Sequence, residues 1–552
     1  MNKILSFIEN KTYIVLCCII ALGLFFRVLN LKDNTIVAYD QARDAQRVME
    51  IMQKNFKIVG PETDIPGVFN GPLFYYILTP IYALTAFNIN YAALVFVFIN
   101  LSGILLVYLS SQVLFNNKKI SLLSAFLWAI SYEQMNFARF ISNASPMSIC
   151  TIVFFLGLAY AIFKKKEVGL AISVIGLAAA IHFNFYLVYL FIFYPILFIF
   201  FKYRPSLKMT VACLSLLGLL LSPFVIAEIR WQFMAIKSLL GYISHQSTNY
   251  TSQYELFASI LNNGKRYYDR ISEAISYSLF SYGKFVGFII LFLFLEIIWK
   301  NRKRTEEKNR YFFLCIWFFS TLPLFLFKSG VLNAQVINSS IFAPLAIIFA
   351  GGIYYLSISN APKSVKIVIL LLIICSNVFQ MGADNFQNIK LFALQPLTLS
   401  IEKKMIDYSY ESSKKKHFSI CGVTNPLFVN TLWSFLYSTY GKNKYGYVPS
   451  WSGQKQISNS SYLPYDIERA QLRYLIIEPL GGIPENAKEA TIYLEDKVSR
   501  LLEEKSFGDL TIQKRIIPAD KSLLIDTQNL SPEKKLYIEN ITHIEARYYC
   551  SM

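Results

Sequence analysis

The chain has 552 residues, of which 55% are hydrophobic and 16% aromatic, and its mean hydropathy is +0.41. Apolar runs that reach the roughly 20 residues needed to cross a bilayer recur up to residue 381, which excludes an ordinary soluble globular protein. The formal net charge of +18 does not indicate nucleic-acid binding, because much of the positive excess lies in short loops between apolar runs. Basic residues in such loops mark the cytoplasmic side of a membrane.

The first apolar segment, residues 13–29, predicts a transmembrane helix. It lacks a small-residue cleavage site and is followed by a charged loop, so we expect it to be retained and not removed as a signal. Lys3 and Lys11 precede it, and basic residues at this position favour a cytoplasmic N-terminus. The loop of residues 30–72 is therefore expected on the outer face.

That loop contains a dense group of charges, Tyr39-Asp40-Gln41-Ala42-Arg43-Asp44-Ala45-Gln46-Arg47. On a helix, Asp40 and Asp44 share a face because they are four residues apart, and so do Arg43 and Arg47. Ionisable groups at a membrane edge cost desolvation energy, so such a cluster is a functional-site hypothesis. The alternative is a solvated helix with internal ion pairs, each contributing less than ~1 kcal/mol.

Ten further apolar segments are typical of membrane helices: residues 91–115, 119–133, 145–163, 168–183, 184–201, 208–228, 283–300, 310–327, 338–357 and 364–381. The stretch 73–87 is short for a span. If it lies along the outer interface, every basic connection falls on the inside. We therefore predict about eleven to thirteen helices, a long outer loop at residues 228–282, and a C-terminal region outside the cell.

The periodicity changes near residue 385, which divides the chain into a transmembrane domain, residues 1–384, and an α/β domain, residues 385–552. In the second domain the pattern predicts three helices, at residues 401–410, 425–440 and 485–504. It predicts four strands, at residues 417–423, 472–477, 510–517 and 522–525. The expected fold class is thus mainly α, a polytopic helical bundle followed by a small extracytoplasmic α/β domain.

The eight cysteines show no spacing typical of a metal site. Cys421 and Cys550 lie in the α/β domain, where either a disulfide or two separate thiols fits the sequence. The other six lie in apolar runs, where a small buried side chain is the expected role: Cys17, Cys18, Cys150, Cys213, Cys315 and Cys375.

An outer-face carboxylate beside arginines suits group transfer from a lipid-anchored phosphate donor. The scissile bond of such a donor lies at the membrane surface, and its phosphate leaving group is matched by the forked guanidinium. The acceptor hydroxyl needs a base as the new bond forms. Asp40 fits the role of this base, and Arg43 or Arg139 fits the role of stabilising the departing phosphate.

Four motifs follow the first helix in a fixed order: YDQARDAQ, GPLFYYIL at residues 71–78, ARFISNASP at 138–146 and IHFNFY at 181–186. This order resembles that of the GT-C glycosyltransferases, in particular the family 39 and ArnT-like branch. That branch includes protein O-mannosyltransferases, aminoarabinose transferases of lipid A and RgtABCD-like bacterial enzymes. The resemblance covers about residues 1–390.

The resemblance implies an inverting enzyme that uses an undecaprenyl- or dolichyl-phosphate-linked monosaccharide as co-substrate, with no further cofactor and usually no bound metal. It places the catalytic aspartate on Asp40. The positions that it assigns to substrate binding are Arg43, Asp44, Tyr75, Arg139, Asn143 and His182. For Asp44 an ion pair with Arg47 or a lysine is the alternative, and for His182 a packing role at a helix end.

The sequence departs from the family pattern at three positions. Gln41 stands where glutamate is common, which leaves one acid at the core of the motif. Gly71 and Pro72 follow Asn70 where a lysine often precedes the proline, so a lysine contact to phosphate is lost. Asn143 stands where an aspartate often follows the arginine. The asparagine at position 143 favours catalysis without a metal.

The sequence therefore predicts a membrane glycosyltransferase that transfers one sugar to a lipid, glycan or protein acceptor on the outer side of a bacterial cytoplasmic membrane. A lipid-linked-glycan flippase or other transporter is one alternative, for which two pseudo-symmetric halves and midplane charges are expected. A non-catalytic envelope assembly protein is another, and it would tolerate loss of Asp40. An oligosaccharyltransferase is disfavoured because no WWDYG-like motif occurs, and Trp433 and Trp451 stand singly.

Overall fold

The computed structural model describes residues 11–32, 34–247, 253–281, 284–302, 304–326, 334–356, 362–387, 390–391, 397–453, 463–465, 470–479 and 485–518. These residues belong to two compact units. The first is drawn from Met1–Leu31, Phe56–Leu78 and Asn90–Leu391. The second is drawn from Lys32–Asn55, Thr79–Ile89 and Phe392–Met552. The segment that carries Asp40 thus belongs to the same unit as the C-terminal α/β region.

Most of the described chain is helical. In chain order the helices are α1 (Thr12–Val28), α2 (Tyr39–Met52), α3 (Leu73–Thr85), α4 (Ile89–Phe115), α5 (Lys118–Ile130), α6 (Tyr132–Arg139), α7 (Met147–Lys164), α8 (Val168–Phe183), α9 (Phe193–Phe200), α10 (Leu207–Leu220), α11 (Ser222–Arg230), α12 (Met234–Ser247), α13 (Gln253–Ser278), α14 (Lys284–Lys300), α15 (Thr305–Phe318), α16 (Ala334–Leu356), α17 (Lys363–Ala383), α18 (Leu399–Ser412), α19 (Thr431–Leu436), α20 (Lys442–Tyr445) and α21 (Glu485–Val498). Short 3₁₀ segments occupy Phe185–Ile192 and Leu322–Leu326.

Four described helices are long and apolar enough to cross a membrane, namely α4, α7 and the greater part of α16 and α17. The pair α10 and α11 makes a fifth span if it crosses as one element, with a bend of 53° at the break. Four shorter apolar segments are α1, α3, α8 and Phe185–Phe200. The chain is a multi-pass membrane protein, and the number of crossings stays a prediction.

Two of the predicted spans are each divided into two α-helices. The segment 119–133 ends as α5 at Ile130, and Ser131 then begins α6 by accepting a hydrogen bond from the Gln134 N–H. The segment 208–228 is interrupted at Leu221, where Pro223 lies in the first turn of α11. Both breaks have local causes, because a serine N-cap and a proline in the first turn each favour a new helix start.

Helices α7 and α8 lie in close contact in the first unit because glycines remove the side chains between them. A Cβ on Gly157 would lie 2.5 Å from the Ser173 backbone nitrogen, and one on Gly169 would lie 2.5 Å from the Gly157 carbonyl oxygen. A Cβ on Gly176 would lie 2.6 Å from the Phe154 backbone nitrogen. Small residues at such contacts are typical of helix pairs in membranes.

The second unit contains a five-stranded sheet in the order β2-β1-β3-β5-β4. The strands are β1 (Phe418–Val423), β2 (Ser450–Trp451), β3 (Leu472–Ile477), β4 (Arg500–Phe507) and β5 (Leu510–Ile516). Strand β1 pairs in parallel with β2 and β3, whereas β5 pairs antiparallel with β3 and β4. The predicted strands at 417–423, 472–477 and 510–517 are confirmed.

Two predictions for this region were wrong in their bounds. The helix predicted at 485–504 ends at Val498, and β4 follows, because residues 500–507 pair with β5 across a turn at Gly508, whose φ is +59°. The helix predicted at 425–440 begins only at Thr431. It then continues as a π-helical turn and α20 to Tyr445. The strand predicted at 522–525 and Cys550 lie outside the described residues, so a disulfide with Cys421 stays a prediction.

Helix α2 is built into the second unit. The chain before it forms a bridge between Ile36 and Thr398, and the Leu399 N–H donates to the Thr35 carbonyl at 3.0 Å. One face of α2 is buried, and α2 packs against α19. The predicted juxtamembrane helix is therefore anchored to the C-terminal α/β region of the chain.

Candidate active site

The N-terminus of α2 positions the charged cluster. The backbone N–H of Ala38 donates to Oε1 of Gln41 at 2.9 Å, so this side chain satisfies a donor at the start of the helix. Gln41 is buried, and its amide performs this function without a charge. Asp40 lies in the first turn, where the helix dipole stabilises a carboxylate. The residue that replaces the common glutamate therefore has a local structural function.

Arg43 joins the two carboxylates of the cluster. Its NH1 lies 2.7 Å from Oδ1 of Asp40, and its Nε and NH2 lie 2.9 and 2.8 Å from Oδ1 of Asp44. The Asp40 side chain is 62% exposed, whereas that of Asp44 is only 4% exposed. The guanidinium also lies 5.7 Å from the centre of the Tyr39 ring. One carboxylate thus faces solvent while the other holds the guanidinium from the buried side.

Burial raises the pKa of the Asp44 carboxyl to about 6, and its ion pair with Arg43 partly offsets this effect. The ion pair of Asp44 with Arg47 that was the sequence-based alternative does not form. Arg47 pairs instead with Glu50, at 2.9 Å. Asp44 therefore titrates close to neutral pH, in the range where perturbed groups at functional sites are often found.

Arg139 lies in the first unit and is 2% exposed. Its Nε donates to the carbonyl of Arg27 at 3.0 Å, and its NH2 donates to the carbonyls of Phe26, at 3.2 Å, and Leu29. Its NH1 donates to the Gln387 carbonyl at 2.5 Å. The guanidinium thus caps the C-terminus of α1, where unsatisfied carbonyls favour a cation. A contact to phosphate stays a prediction for this residue.

His182 lies in the last turn of α8 in the first unit, and Asn143, from the loop before α7, contacts the same helix end. Nδ2 of Asn143 donates to the Phe183 carbonyl at 2.9 Å. Nε2 of His182 lies 2.8 Å from the Leu220 carbonyl oxygen and donates to it, because a carbonyl oxygen can only accept. These contacts suit residues that hold the end of α8, and their substrate contacts stay predictions.

Gly71 explains the departure from the family pattern before α3. A Cβ at this position would lie 2.0 Å from Nδ1 of His182, and the Gly71 N–H donates to the His182 carbonyl at 2.9 Å. Oδ1 of Asn70 accepts a hydrogen bond from the Phe185 N–H at 2.9 Å. Tyr75, on α3 of the same unit, is 3% exposed. The Asn70-Gly71 pair thus joins the start of α3 to the end of α8.

The structure also contains a polar cluster in the second unit that no sequence pattern indicated. Asp407 accepts hydrogen bonds from the hydroxyls of Tyr440, at 3.0 Å, and Tyr445, at 2.8 Å, and its Oδ2 pairs with Nζ of Lys444 at 2.9 Å. The aspartate and the aromatic residues lie on different helices more than 30 positions apart, so spacing in the sequence could not reveal them.

A metal centre has no support from the described part of the chain. Within it, no group of three or more histidine, cysteine, aspartate or glutamate side chains is arranged to hold a metal ion. Asp40 and Asp44 of α2 are joined by Arg43.

No protein-family model and no curated protein sequence matches the chain. Among solved structures, ArnT from Cupriavidus metallidurans in the apo state matches with a TM-score of 0.52 and 11% identity, covering 94% of this chain and 100% of ArnT. The structure of ArnT bound to undecaprenyl phosphate also gives 0.52 and 11%, covering 90% and 97% of the two chains.

The archaeal oligosaccharyltransferase AglB from Archaeoglobus fulgidus, in complex with an inhibitory peptide and a dolichol-phosphate, has a TM-score of 0.43 and 12% identity, with coverage of 95% of this chain and 75% of AglB. The predicted fold class is confirmed by ArnT, which matches this chain over nearly its whole length. The chain has the GT-C fold of ArnT.

Proposed function

We propose that the protein is a membrane glycosyltransferase that transfers a monosaccharide from a polyprenyl-phosphate donor to an acceptor hydroxyl on the outer face of the cytoplasmic membrane. The observation that carries the proposal is the arrangement on α2, where the exposed Asp40 carboxylate lies 2.7 Å from a guanidinium that a buried carboxylate orients. The fold adds support, because ArnT, which shares it, has been solved with undecaprenyl phosphate.

In this reaction Asp40 accepts the proton of the acceptor hydroxyl as its oxygen attacks the anomeric carbon. The bond between that carbon and the phosphate oxygen breaks at the same time, and polyprenyl phosphate leaves. Attack from the side opposite to the leaving phosphate inverts the anomeric centre. General base catalysis of this kind typically contributes 10²–10⁴-fold in rate. The exposure of Asp40 suits this role, since the base must reach an incoming hydroxyl.

Arg43 stabilises the negative charge that develops on the departing phosphate. Its guanidinium has a planar fork of N–H donors that matches phosphate oxygens. Asp44 fixes the direction of that fork from the buried side, through two donors to one oxygen. A donor that is oriented before the substrate arrives costs no reorganisation in the transition state, and this is the basis of electrostatic catalysis.

The test compares Asp40→Asn with the wild-type protein. Release of undecaprenyl phosphate from a panel of undecaprenyl-phosphate monosaccharides is measured by mass spectrometry in proteoliposomes. We expect Asp40→Asn to lower the rate by a factor on the order of 10²–10⁴. Glu50→Gln is the matched control, because Glu50 is another carboxylate on α2 and pairs with Arg47. The turnover of this variant should stay close to that of the wild type.

Equal turnover by Asp40→Asn and wild type, in variants that elute normally in size-exclusion chromatography, would remove Asp40 as the base. A transporter gives a different result. It moves a labelled donor across the vesicle membrane without releasing undecaprenyl phosphate, in wild type and variant alike.

A further inference from the structure

A cavity of about 200 Å³ lies in the second unit, between the turn that follows α3 and the helices α18 to α20. Its volume is below the roughly 300–1,000 Å³ of pockets for drug-sized ligands, so it suits a single small ring. The lining residues that matter for its chemistry are Phe87, Asn88, Lys403, Thr439, Tyr440 and Asn443. The proposed function does not use this cavity.

The described lining of the cavity contains one charged side chain, which is positive. Of the eleven described residues that line it, Lys403 alone carries a charge, and its Nζ lies 5.2 Å from the centre of the Tyr440 ring. Asp407, which accepts the Tyr440 hydroxyl, is paired with Nζ of Lys444 at 2.9 Å. The Asp407 carboxylate is thus paired with Lys444, and the one formal charge on the described lining has the sign that suits an anion.

Two aromatic rings on the lining are held in place by contacts outside the cavity. Both carboxylate oxygens of Asp407 lie 3.0 Å from the Tyr440 hydroxyl. Phe87 stacks on Tyr82, with ring centres 5.2 Å apart, at a turn where its φ of +60° is unusual for a bulky residue. A fixed aromatic face binds the polarised C–H groups of a sugar ring, because the π-face is electronegative.

Neutral hydrogen-bonding groups complete the lining. Asn88 and Asn443 contribute amides, which can donate to and accept from hydroxyl groups. Thr439 adds a hydroxyl that donates to the Phe435 carbonyl at 2.6 Å, so towards a ligand it acts as an acceptor. Asn443 is exposed at the edge of the cavity, so its amide is accessible to a ligand. A cation, an aromatic face and several amides form a combination suited to a polar ring that carries a negative charge.

We propose that this cavity binds one acidic sugar unit, a monosaccharide that bears a carboxylate or a phosphate, with its anion on Lys403 and its ring against Tyr440. Leu436 at the end of α19 lines the cavity, and α19 packs against α2, which carries Asp40. An acidic sugar of the acceptor glycan would thus bind in the compact unit that contains the candidate base. Only this assignment to the acceptor rests on the proposed function; the binding site itself does not.

The experiment measures binding without turnover. Saturation-transfer-difference NMR on the full chain in detergent micelles is recorded with D-glucuronic acid, D-glucose 6-phosphate, D-glucose and inorganic phosphate. We expect the two acidic sugars to bind at least about tenfold more tightly than glucose, the effect of one charge-assisted hydrogen bond. Lys403→Gln should remove that preference. Lys404→Gln, which removes an exposed lysine from the next position of α18, should retain it.

Two further variants separate the contributions. Lys403→Arg keeps the charge and should retain the preference for acidic sugars, which guards against misfolding of Lys403→Gln. Asn443→Ala should weaken the binding of glucose and of the acidic sugars by a similar factor. Asp40→Asn should bind the sugars as the wild type does, so failure of the catalytic proposal is distinguishable from failure of this one.

Three results would overturn the proposal. The first is the absence of a signal from both acidic sugars at millimolar concentration. The second is equal binding of acidic sugars by wild type and Lys403→Gln. The third is displacement of the acidic sugars by inorganic phosphate at the same concentration, which would identify a site for simple anions without recognition of the ring.

Discussion

Arg43 directs two donors, Nε and NH2, at the same carboxylate oxygen of Asp44, at 2.9 and 2.8 Å. The acceptor is nearly inaccessible to solvent, whereas the third contact of the guanidinium, to Asp40, faces solvent. The guanidinium is therefore held in place by the buried Asp44 and remains accessible on the side of the exposed Asp40. In the proposed reaction this geometry separates two functions that a pair of equivalent aspartates could not, since one acid orients the cation and the other meets the acceptor.

Arg43→Lys should weaken binding of undecaprenyl phosphate by roughly tenfold, because an ammonium is a point charge and cannot reproduce a forked contact. Binding is measured by tritiated undecaprenyl phosphate retained on the purified protein. Arg47→Lys is the control, since Arg47 lies one turn further along α2 and pairs with Glu50. Unchanged affinity in Arg43→Lys would contradict a bidentate phosphate contact, whereas equal loss in both variants would indicate a nonspecific effect of charge geometry on α2.

Asp44 should impose a pH dependence on turnover. Its pKa is raised to about 6, so the carboxyl is protonated below that pH and ionised above it. Only the ionised form attracts Arg43 fully, and we therefore expect kcat/KM to rise with pH through about 6 and then to level off. In Asp44→Asn this limb should disappear and the rate should be low throughout. The measurement is a pH profile from 5 to 8, and a limb that persists in Asp44→Asn would assign the titration to another group.

Local patterns in the sequence were sufficient for the helices and for the charged face of α2. Each apolar segment contains a helix because its length and periodicity are local properties. The spacing of Asp40, Arg43 and Asp44 likewise placed them within reach of each other once the segment was helical. Which aspartate is buried depends on the elements that pack against α2, and one of them, α19, comes from a distant part of the chain. The sequence alone therefore could not distinguish the two.

Nonlocal contacts account for what the sequence did not reveal. The sequence did not reveal that the Arg139 guanidinium donates to carbonyls at the end of α1, more than 100 residues earlier in the chain. Its contact to phosphate stays a prediction. Residues 500–507 have the composition of a helix end and become strand β4, since β5 offers them a pairing partner across Gly508. Tertiary partners override propensity in such cases.

Gly71→Ala should destabilise the first unit. The added Cβ would lie 2.0 Å from Nδ1 and 2.8 Å from Cα of His182, so a side chain and a backbone must both move. Overpacking of this kind typically costs about 1–3 kcal/mol. The measurement is the midpoint of thermal unfolding in detergent, which should fall by several degrees.

The control for that substitution is Gly218→Ala on α10, where a Cβ would meet nothing within 4 Å. Alanine favours a helix interior over glycine, so this variant should be neutral or slightly more stable. The double variant Gly71→Ala/His182→Ala should recover part of the loss, because the imidazole contact is relieved while the contact with the His182 Cα remains. Full additivity of the two single changes would contradict a direct contact between these residues.

Glu402→Gln should stabilise the second unit at neutral pH. Glu402 on α18 is completely buried, and neither carboxylate oxygen has a hydrogen-bond partner among the residues that the structure describes. Burial raises its pKa well above the ordinary 4.5, and the nearby carboxylate of Glu478 raises it further. An uncharged amide of the same shape carries no such penalty for ionisation.

The direction of the pH effect follows from the two protonation states. Because the folded-state pKa is above that of the unfolded chain, the folded protein binds more protons at any pH between the two values. Stability is then highest below the unfolded pKa of 4.5 and falls as pH rises towards the folded pKa. Burial raises the pKa of Glu478 to about 7, so this residue also lowers the stability of the folded protein as pH rises from 4.5 to about 7.

The measurement is the midpoint of thermal unfolding at pH 5 and pH 8. The midpoint of the wild type should be lower at pH 8 than at pH 5. The midpoint of Glu402→Gln should decrease less over this range, and Glu402→Gln should be the more stable protein at pH 8. Glu411→Gln, which replaces an exposed glutamate on the same helix, is the matched control. Its midpoint should change with pH as that of the wild type does. If Glu402→Gln loses as much stability as the wild type between pH 5 and pH 8, Glu402 is not the group that resists ionisation. The pH dependence would then be assigned to Glu478.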